Sequence, residues 1–545
     1  MKKVLSVVLA FAVVLAALLG VSALWERLRP AREEPTEEPA DGRKTVSNVM
    51  DAGGATVITL ASGGSSVSGF GAEAAGDRVT IAYPGTYRVE GSVEDGQLIV
   101  DLGDFSGAAY LILNGASVTC GDGPALYVKQ ADLTAVYLAE GTENALRDGA
   151  DYLVAEGQDR QTGAGLYSAD DLLIWGDGAL TVTGVSADGI RSKDALYLAG
   201  GTIRVSAADD GLQASDLMEI YDGDVRVSCY GDGISTTEGG VTVYGGSLSI
   251  RSGGDGVAAM TELSVTTYGG PENYETIALN DLSAKGLKGE TVTIAGGDIT
   301  LSTADDGIHA RRDASVTGGS FAIASGDDGI SAAGTLELRD VSVDISACYE
   351  GLEGAVVRLS NASLSVTAQN NAVDAGEGGI TGYATQFTLT APRGMSSEGA
   401  LELLGCAVSL HADGTDSLFS FAEADLVGCT VAASADTGRS EVLLAKGRLP
   451  GTLLFGFSEP IPAGARIALT DPSGDEVYAV SFENDAGAFL LALDGLLDGQ
   501  PYTLAAGEQT VDFTYEADGS FVSEPEPVTA ASRGGFPGMP GAPRR

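Results

Sequence analysis

The feature that most constrains this chain is an Asp-Gly turn that returns about every 22 residues and precedes an aliphatic residue. Each turn is followed by two short segments of alternating apolar and polar residues, a period that predicts β-strands. Such a coil cannot bury its apolar side alone, whereas stacked copies pair each strand in parallel with the next. We therefore predict an all-β parallel β-helix. The repeat glycines are Gly189, Gly211, Gly233, Gly256, Gly286, Gly307, Gly329 and Gly351.

The alternation also predicts the direction of individual side chains within one coil. In the segment DALYLAGGTIRVSA we expect Leu196, Leu198, Ile203 and Val205 to point inward and Arg204 to point outward. The longer gap between Gly256 and Gly286 predicts an insertion, at 269–283, that loops out of the stack.

The two ends of the chain do not follow the 22-residue sequence pattern of the repeats. Lys2 and Lys3 precede an apolar run, which indicates export either by a cleaved signal peptide or with a retained membrane anchor. We expect a secreted or extracellular protein, a monomer, whose only membrane contact would be that anchor. The predicted divisions are 1–25 (signal peptide or anchor), 26–46 (linker), 47–440 (β-helix), 441–519 (small C-terminal β-module that caps the solenoid) and 520–545 (disordered Gly/Pro tail).

The formal net charge of -45 makes nucleic acid an unlikely partner, because such a surface repels a phosphate backbone. Five cysteines are too few and too scattered for a disulfide scaffold, and we interpret them as buried apolar residues. Cys406 and Cys429 are 23 positions apart, so they could lie on neighbouring coils and form a bridge.

The residues before the repeat glycines predict a ladder of stacked carboxylates. Equivalent positions on neighbouring coils should lie about 4.8 Å apart. At an effective dielectric constant near 20, two like charges at that distance repel by about 3.5 kcal/mol, so something must offset the cost. The rungs are Asp188, Asp210, Asp232, Asp255, Lys285, Asp306, Asp328 and Glu350, and Asp209, Asp305 and Asp327 precede three of them.

Protonation, hydrogen bonds or bound cations could each relieve this repulsion. Ca²⁺ takes six to eight oxygen ligands from flexible carboxylates and carbonyls, and we predict calcium chiefly at the doubled pairs 209/210, 305/306 and 327/328. The alternative is that Asp-Gly is only favourable turn chemistry, in which Asp caps backbone N–H groups and Gly accepts positive φ. For the single rungs both interpretations stay open.

Outward aromatic and basic residues are the candidate ligand-binding groups. Trp175, Tyr221, Tyr244 and Tyr268 precede Gly-containing corners, and the three tyrosines would form an exposed strip on which sugar rings stack. An aromatic stack that only rigidifies the corner is equally compatible with the pattern. Arg204 and Arg226 could pair with a uronate carboxylate or with a neighbouring Asp.

A basic cluster interrupts the ladder. Lys285 replaces an acidic rung, and Lys288, His309 and Arg311 are predicted beside it. A base next to calcium could abstract a proton α to a carboxylate, which is the reaction of a polyuronate lyase. The alternative is that these residues neutralise the neighbouring acids.

Several motifs resemble a bacterial family of secreted carbohydrate-binding β-helix proteins. They lie in order within residues 95–375 and include YLILNGASVTCGDGPALYVK, LAEGTENALRDG, SAKGLKGETVTIAGGDITLSTADDGIHA and SACYEGLEG. The resemblance implies a right-handed β-helix similar to polysaccharide lyase family 9, bound calcium, and binding of cellulose or pectin-like acidic polysaccharides. The family's acidic turn motif falls on Asp188, Asp209, Asp210, Asp232, Asp305, Asp306, Asp327 and Asp328, and its Ser-Ala-Lys-Gly motif on Lys285. Tyr349-Glu350-Gly351 and Asn370-Asn371-Ala372 depart from that motif.

The sequence therefore predicts calcium-dependent binding of a plant-wall polysaccharide at the cell surface or outside the cell. One alternative is a calcium-dependent polyuronate lyase with Lys285 or Lys288 as base. Another is a structural surface adhesin or spacer without a sugar ligand.

Overall fold

The computed structural model describes residues 53–149, 163–254, 283–412, 419–435, 452–493 and 495–516, together with the backbone of strands 264–268 and 274–278. The predicted export segment, the linker and the Gly/Pro tail lie outside these residues. Within them, no helix is long and apolar enough to cross a membrane.

Strands account for most of the described residues. The chain begins with β1 (Thr56–Ala61), β2 (Ser66–Ser68), β3 (Ala72–Ala75) and β4 (Arg78–Ile81). The first coils contain β5 (Gly85–Val93), β6 (Gln97–Asp101), β7 (Ala108–Thr119), β8 (Leu126–Gln130), β9 (Leu133–Leu138), β10 (Glu143–Arg147), β11 (Ala164–Ser168), β12 (Asp171–Gly176), β13 (Ala179–Gly184), β14 (Asp188–Ser192), β15 (Ala195–Ala207), β16 (Leu212–Ala214), β17 (Leu217–Cys229), β18 (Ile234–Thr236), β19 (Gly240–Val243) and β20 (Ser247–Arg251). A separate pair follows, β21 (Ser264–Tyr268) and β22 (Tyr274–Ala278).

The later coils and the C-terminal segment continue the all-β pattern. The coils contain β23 (Leu287–Ile294), β24 (Asp298–Thr303), β25 (Ile308–Val316), β26 (Ser320–Ser325), β27 (Ile330–Arg339), β28 (Ser342–Cys348), β29 (Leu352–Ser360), β30 (Ser363–Ala368), β31 (Asn371–Ala375), β32 (Ile380–Tyr383), β33 (Gln386–Thr390), β34 (Arg393–Ser397), β35 (Ala400–Leu404), β36 (Ala407–Ala412), β37 (Phe419–Ser420), β38 (Glu423–Val427) and β39 (Thr430–Ala435). The last strands are β40 (Thr452–Ile461), β41 (Ile467–Thr470), β42 (Glu476–Val480), β43 (Ala486–Leu493), β44 (Pro501–Ala506) and β45 (Gln509–Thr514).

Three columns of parallel strands build the solenoid. The first column stacks β14, β16 and β18, so that Ile190 pairs with Leu212 of the next coil. The second stacks β12, β15, β17 and β19, and the third continues β15 and β17, where Ile203 pairs with Val225. This register confirms the predicted parallel β-helix and its 22-residue coil. The right-handed sense stays a prediction.

The interior of the solenoid is the apolar core predicted from the alternation. Leu196, Leu198, Ile203 and Val205 are buried and Arg204 is exposed, as expected. Because equivalent aliphatic residues stack coil upon coil, one continuous core runs from β1 to β43. Burial of this apolar surface is the main term that stabilises the stack.

Antiparallel pairings occur at both ends of the parallel columns. Strands β1 and β2, and β3 and β4, pair antiparallel before the first coil. At the other end β43 pairs antiparallel with β39, and β40 pairs with β43. The C-terminal segment has its own apolar core and a four-stranded sheet, β42-β41-β44-β45. The outer edge of β39 is thereby paired with β43.

The insertion is longer than predicted and begins earlier. Strand β18 pairs directly with β23, and Gly233 N donates to Lys285 O at 2.7 Å. The coil of Asp232 is therefore followed directly by the coil of Lys285, which contradicts the predicted rung between them at Asp255-Gly256. Asp255 and Gly256 themselves lie outside the described residues.

The cysteines are buried free thiols. Cys406 and Cys429 do lie on neighbouring coils, since the amide of Cys406 donates to Sγ of Cys429 at 3.3 Å. They form no disulfide in this structure, and their environment is that of small apolar residues.

Candidate functional site

The ladder rungs are held by backbone amides of the following coil. Oδ1 of Asp188 accepts from Asp210 N at 3.2 Å, and Oδ1 of Asp210 accepts from Asp232 N at 2.7 Å. Asp232 accepts from Lys285 N at 2.9 Å, and Asp306 accepts from Asp328 N at 3.1 Å. The capping role of Asp is therefore present, but the capped amide belongs to the next coil instead of the same turn.

The pair Asp209–Asp210 lies in a strongly acidic part of the ladder. Burial, together with the charges of Asp232 and Asp209, raises the pKa of Asp210 to about 7. Oδ2 of Asp210 accepts hydrogen bonds from Gln213 and Ser235, each at 2.7 Å. Partial desolvation and the charge of Asp232 also raise the pKa of Asp209, whose side chain reaches solvent.

Asp188 begins this part of the ladder. Its side chain is 1% exposed, and burial together with the charge of Asp210 raises its pKa well above the usual range. Arg191 counters only part of that effect, with Nη1 at 3.1 Å from Oδ2 of Asp188. The chain's own cations thus leave these carboxylates under-neutralised.

Gly231 lies against both carboxylates of the Asp209–Asp210 pair. A Cβ on Gly231 would lie 2.5 Å from Oδ1 of Asp210 and 2.6 Å from Oδ1 of Asp209, too close for a carbon atom, so the position favours glycine. The two oxygens are therefore near each other on one side of Gly231. Carboxylate oxygens are ligands that Ca²⁺ prefers, so the donor types of this pair suit that ion.

The pair Asp305–Asp306 has a different environment. Nζ of Lys285 lies 2.7 Å from Oδ1 of Asp305 and 2.9 Å from Oδ2 of Asp306, and Nδ1 of His309 lies 2.8 Å from Oδ2 of Asp306. Burial would raise the pKa of Asp306, but His309 and Lys285 outweigh it and lower that pKa. Carboxylate oxygens of Asp305, Asp306 and Asp327 lie within 4.8 Å of one another. An ammonium group already occupies the position that a cation would take.

Asp327 and Asp328 lie beyond the reach of Lys285 as a direct partner. Burial, a hydrogen bond with Glu353 and the charge of Asp306 raise the pKa of Asp328 to about 9. Partial desolvation and the charge of Asp306 also raise the pKa of Asp327, although its side chain is exposed. A proton shared with Glu353 is therefore one way in which this part of the ladder lowers its repulsion.

The predicted lyase residues form two groups, Lys285, Lys288 and His309 in one and Arg311 in the other. Lys288 donates to Oδ2 of Asp232 and to Oγ of Ser283, both at 2.8 Å. Arg311 instead donates to the carbonyl of Thr237 at 2.8 Å and pairs with Glu290.

Lys285 is in the protonation state opposite to that of a base. Burial would lower its pKa, but the charge of Asp306 and the hydrogen bonds that the ammonium donates to both aspartates raise it. An amine held as an ammonium ion cannot accept a proton from a substrate. The geometry favours the neutralising role of Lys285.

The predicted aromatic strip contains two tyrosines instead of three. Tyr221 and Tyr244 stack with ring centroids 4.9 Å apart and planes 11° apart, and they are 41% and 46% exposed. Tyr268 belongs to β21, which pairs with β22 in a separate two-stranded sheet, so the third ring of the predicted strip is not on a coil. The side chain of Tyr268 lies outside the described residues. Ala295 follows Tyr244 in the column.

The tyrosine pair has free ring faces only on its outer sides. Each ring covers one face of the other, and both hydroxyls donate to Glu219, at 2.6 Å from Tyr221 and 3.3 Å from Tyr244. Ala295 lies opposite Tyr244 on the next coil, and Ala199 of the preceding coil lies opposite Asp222, beside Tyr221. Trp175 is half-buried and contacts Tyr137 instead, with ring centroids 5.4 Å apart and planes tilted by 57°.

The two candidate arginines lie side by side in the third column, since Arg204 pairs in register with Arg226. Arg226 makes a bidentate pair with Asp224, with both distances at 3.1 Å. Arg204 is exposed and has no hydrogen-bond or ion-pair partner among the described residues. Of these two arginines, Arg204 is therefore the one available to an acidic ligand without breaking an existing pair.

Comparison with known proteins gives a match over a segment that contains these tyrosines and arginines. Residues 75–329 match the profile of a family described as carbohydrate-binding domain-containing protein. The resemblance predicted from the motifs is thereby confirmed over these residues. They include both tyrosines, both arginines and the ladder as far as Asp328.

A relative from Acetivibrio thermocellus, also described as a carbohydrate-binding domain-containing protein, is 38% identical over 130 residues. The alignment covers 24% of this chain and 45% of that relative, so the chain spans less than half of the relative's length. A solved structure of a polysaccharide lyase-like protein from C. thermocellum, a gadolinium derivative, aligns with 25% identity and a TM-score of 0.39. It covers 53% of this chain and 96% of that one.

The segment 75–329 contains a second carboxylate column that the Asp-Gly repeat did not predict. Asp132, Asp170, Asp194 and Asp216 lie at the corner before the second strand column on four successive coils. Burial and the charges of Asp171 and Asp216 raise the pKa of Asp194 to about 6. Asp194 and Asp216 are one coil length apart, so their spacing could have predicted this column. They are not followed by Gly, and the repeat was aligned on Asp-Gly turns.

Proposed function

We propose that this protein is exported and, as a monomer, binds polysaccharide outside the cell or at its surface. The observation that carries the proposal is the exposed Tyr221–Tyr244 pair, which lies within the residues that match the carbohydrate-binding family. Aromatic rings bind sugars through the apolar face of the sugar ring, and this pair offers two outer faces for that contact.

The ligand class that we propose is a plant-wall polysaccharide such as cellulose or a pectin-like polyuronate. A neutral chain needs only the ring faces and hydroxyl partners such as Glu219. An acidic chain also needs a cation, and exposed Arg204 supplies one in the third column. Calcium would supply another, because it can bridge a uronate to protein carboxylates.

We propose calcium first at the Asp209–Asp210 pair. Two carboxylate oxygens lie close together beside Gly231, no lysine ammonium of the described residues is paired with them, and Asp209 is open to solvent. Bound calcium would offset the repulsion that raises both pKa values. At Asp305–Asp306 the same ion would have to displace Lys285.

The sugar proposal is tested by replacing the tyrosines. We expect Tyr221→Ala and Tyr244→Ala each to raise the Kd for a soluble cellulose derivative or polygalacturonate about threefold to tenfold, because one stacking face is lost. Calorimetric titration measures this. Ala295→Phe should weaken binding as well, since a ring there covers the outer face of Tyr244 while both tyrosines remain.

The matched control for these variants is Tyr383→Ala, because Tyr383 is 52% exposed on a later coil. Its Kd should equal that of the wild type. Equal affinity of wild type, both tyrosine variants and the Ala295 variant would contradict binding at this pair.

The calcium proposal is tested by melting and titration with CaCl2 and with EDTA. At a free concentration of 100 times Kd, calcium should stabilise the fold by about 2.7 kcal/mol. Asp209→Asn should weaken calcium binding about tenfold or more, which corresponds to about 1.4 kcal/mol. Asp344→Asn, at an exposed position of β28, is the control. A melting temperature that neither calcium nor EDTA changes would exclude a structural calcium site.

A further inference from the structure

A second exposed aromatic group lies near the start of the solenoid, far in sequence from the tyrosine pair. Phe70, Tyr83 and Phe105 are 74%, 37% and 52% exposed. Their ring centroids are 4.8 Å apart for Phe70–Tyr83 and 4.7 Å apart for Tyr83–Phe105. The rings are tilted by 43° and 38°, so none of them hides the whole of its neighbour. Three adjacent exposed rings in so acidic a protein are an apolar patch of the kind that binds a ligand.

Phe105 also forms one wall of an open depression of about 290 Å³. The other lining residues are Gly103, Asp104, Ser106, Gln130, Ala131, Asp132 and Asp170. This volume is at the lower limit for a small-molecule site, and it suits a single sugar ring better than a longer segment of a chain.

The carboxylates of the depression are held in fixed orientations. Oδ2 of Asp132 accepts from Gly107 N at 2.7 Å, and Oδ2 of Asp170 accepts from Ala131 N at 2.8 Å. Within the described part of the chain, Oδ1 of each accepts no hydrogen bond, and neither does the carboxylate of Asp104. Each aspartate therefore presents at least one free acceptor beside an exposed ring.

We infer that this depression is a second carbohydrate site, which binds one ring of a neutral pyranose chain. Phe105 stacks on the apolar face of the sugar, and the free oxygens of Asp132 and Asp170 accept its hydroxyl hydrogens. The lining contains three aspartates and neither Lys nor Arg, so the field repels a uronate carboxylate. Tyr83 and Phe70 extend the apolar surface towards the next ring of the chain.

This inference extends the proposed carbohydrate binding to a site with a different preference. Arg204 lies in the third column, whereas the depression has no cation in its lining. The inferred site therefore separates neutral from acidic sugars, which the Tyr221–Tyr244 pair does not.

The test uses the full chain with cellohexaose and with an oligogalacturonate of similar length. In calorimetric titration, Phe105→Ala should weaken cellohexaose binding about threefold to tenfold and leave the oligogalacturonate unchanged. Asp132→Asn should weaken cellohexaose binding in the same way, and Tyr383→Ala serves as the exposed control. Melting temperatures equal to wild type would establish that the variants fold.

A Tyr221→Ala/Tyr244→Ala double variant distinguishes this site from the proposed one. We expect the double variant still to bind cellohexaose, and we expect the triple variant that also carries Phe105→Ala to lose this binding. That result supports the second site even if the tyrosine pair binds nothing. Three outcomes would overturn it: unchanged cellohexaose affinity in Phe105→Ala, binding of calcium alone in the depression, or a Phe105→Ala variant that differs only by dissociating a dimer in sedimentation.

Discussion

Asp209–Asp210 and Asp305–Asp306 have the same local sequence, Ala-Asp-Asp-Gly, but opposite electrostatics. Burial and neighbouring acids raise the pKa of Asp210 to about 7, whereas the pKa of Asp306 is lowered. The difference comes from the neighbouring charges: Asp232 and Asp209 raise the pKa of Asp210, whereas His309 and Lys285 lower that of Asp306. In each case one of these neighbours, Asp232 or Lys285, lies on an adjacent coil.

Removal of Lys285 should have the largest effect, because it makes the second pair resemble the first. Lys285→Met leaves two largely buried carboxylates without their counter-ion, and breaking such a pair costs about 3 kcal/mol of unfolding free energy. Chemical denaturation measures this. We also expect added calcium to recover part of the loss, since the position of the ammonium becomes free.

Lys129→Ala is the matched control, because Lys129 is 42% exposed and 3.9 Å from Asp101. A surface pair of that kind contributes at most about 1 kcal/mol. If Lys285→Met were no more destabilising than Lys129→Ala, the contrast between the two pairs would fail.

The pH dependence of stability should have opposite signs at the two pairs. An aspartate with an unfolded pKa near 3.9 and a folded value of about 7 binds more protons when folded, so it lowers stability as pH rises from about 4 to about 7. Asp306, with a lowered folded pKa, contributes stability above an unfolded pKa near 3.9 and loses it as pH falls through the lower folded value.

Asp210→Asn should flatten the decline between pH 4 and pH 7 and cost about 1 kcal/mol at pH 5 through its lost acceptor. Denaturation midpoints across that range measure both effects. Asp306→Asn should instead destabilise throughout the range, and the same pH profile for both variants would contradict the comparison.

Asp327→Asn should have the smallest effect. Its side chain is exposed, and Lys285 pairs with Asp305 and Asp306 instead of with it, so we expect a change within about 0.5 kcal/mol. Calcium titration sharpens the result. A large loss of calcium affinity in this variant would place an ion among Asp305, Asp306 and Asp327, where the structure has Lys285.

The sequence predicted the fold because a period near 22 and alternation along each strand leave few other ways to bury the apolar residues. It also predicted the rungs, since stacking follows directly from the period. The side-chain partners of these rungs were harder to predict from the sequence. That Lys285 lies against Asp305 and Asp306, while Lys288 lies against Asp232, depends on side-chain reach across coils.

The errors came from segments that imitate the repeat. Asp255-Gly256 has the right spacing, yet the coil of Asp232 is followed directly by that of Lys285. Tyr268 precedes Gly269-Gly270 as Tyr244 precedes Gly245-Gly246, yet it belongs to the separate pair β21–β22. Phe70, Tyr83 and Phe105 have no period at all. The antiparallel turns and first coils bring them together, so only the structure could place them side by side.

The Lys285 coil stacks directly on the Asp232 coil. The residues between these coils therefore make the polypeptide longer without adding a coil to the solenoid. Ser252 Oγ donates to Ala284 O at 2.7 Å, so the chain leaves and re-enters the solenoid at two buried residues in direct contact. Residues 255–282 therefore lengthen the chain between two coils that stack directly on each other. This junction is a natural site for domain insertion, where a foreign module could be grafted while the columns above and below keep their register.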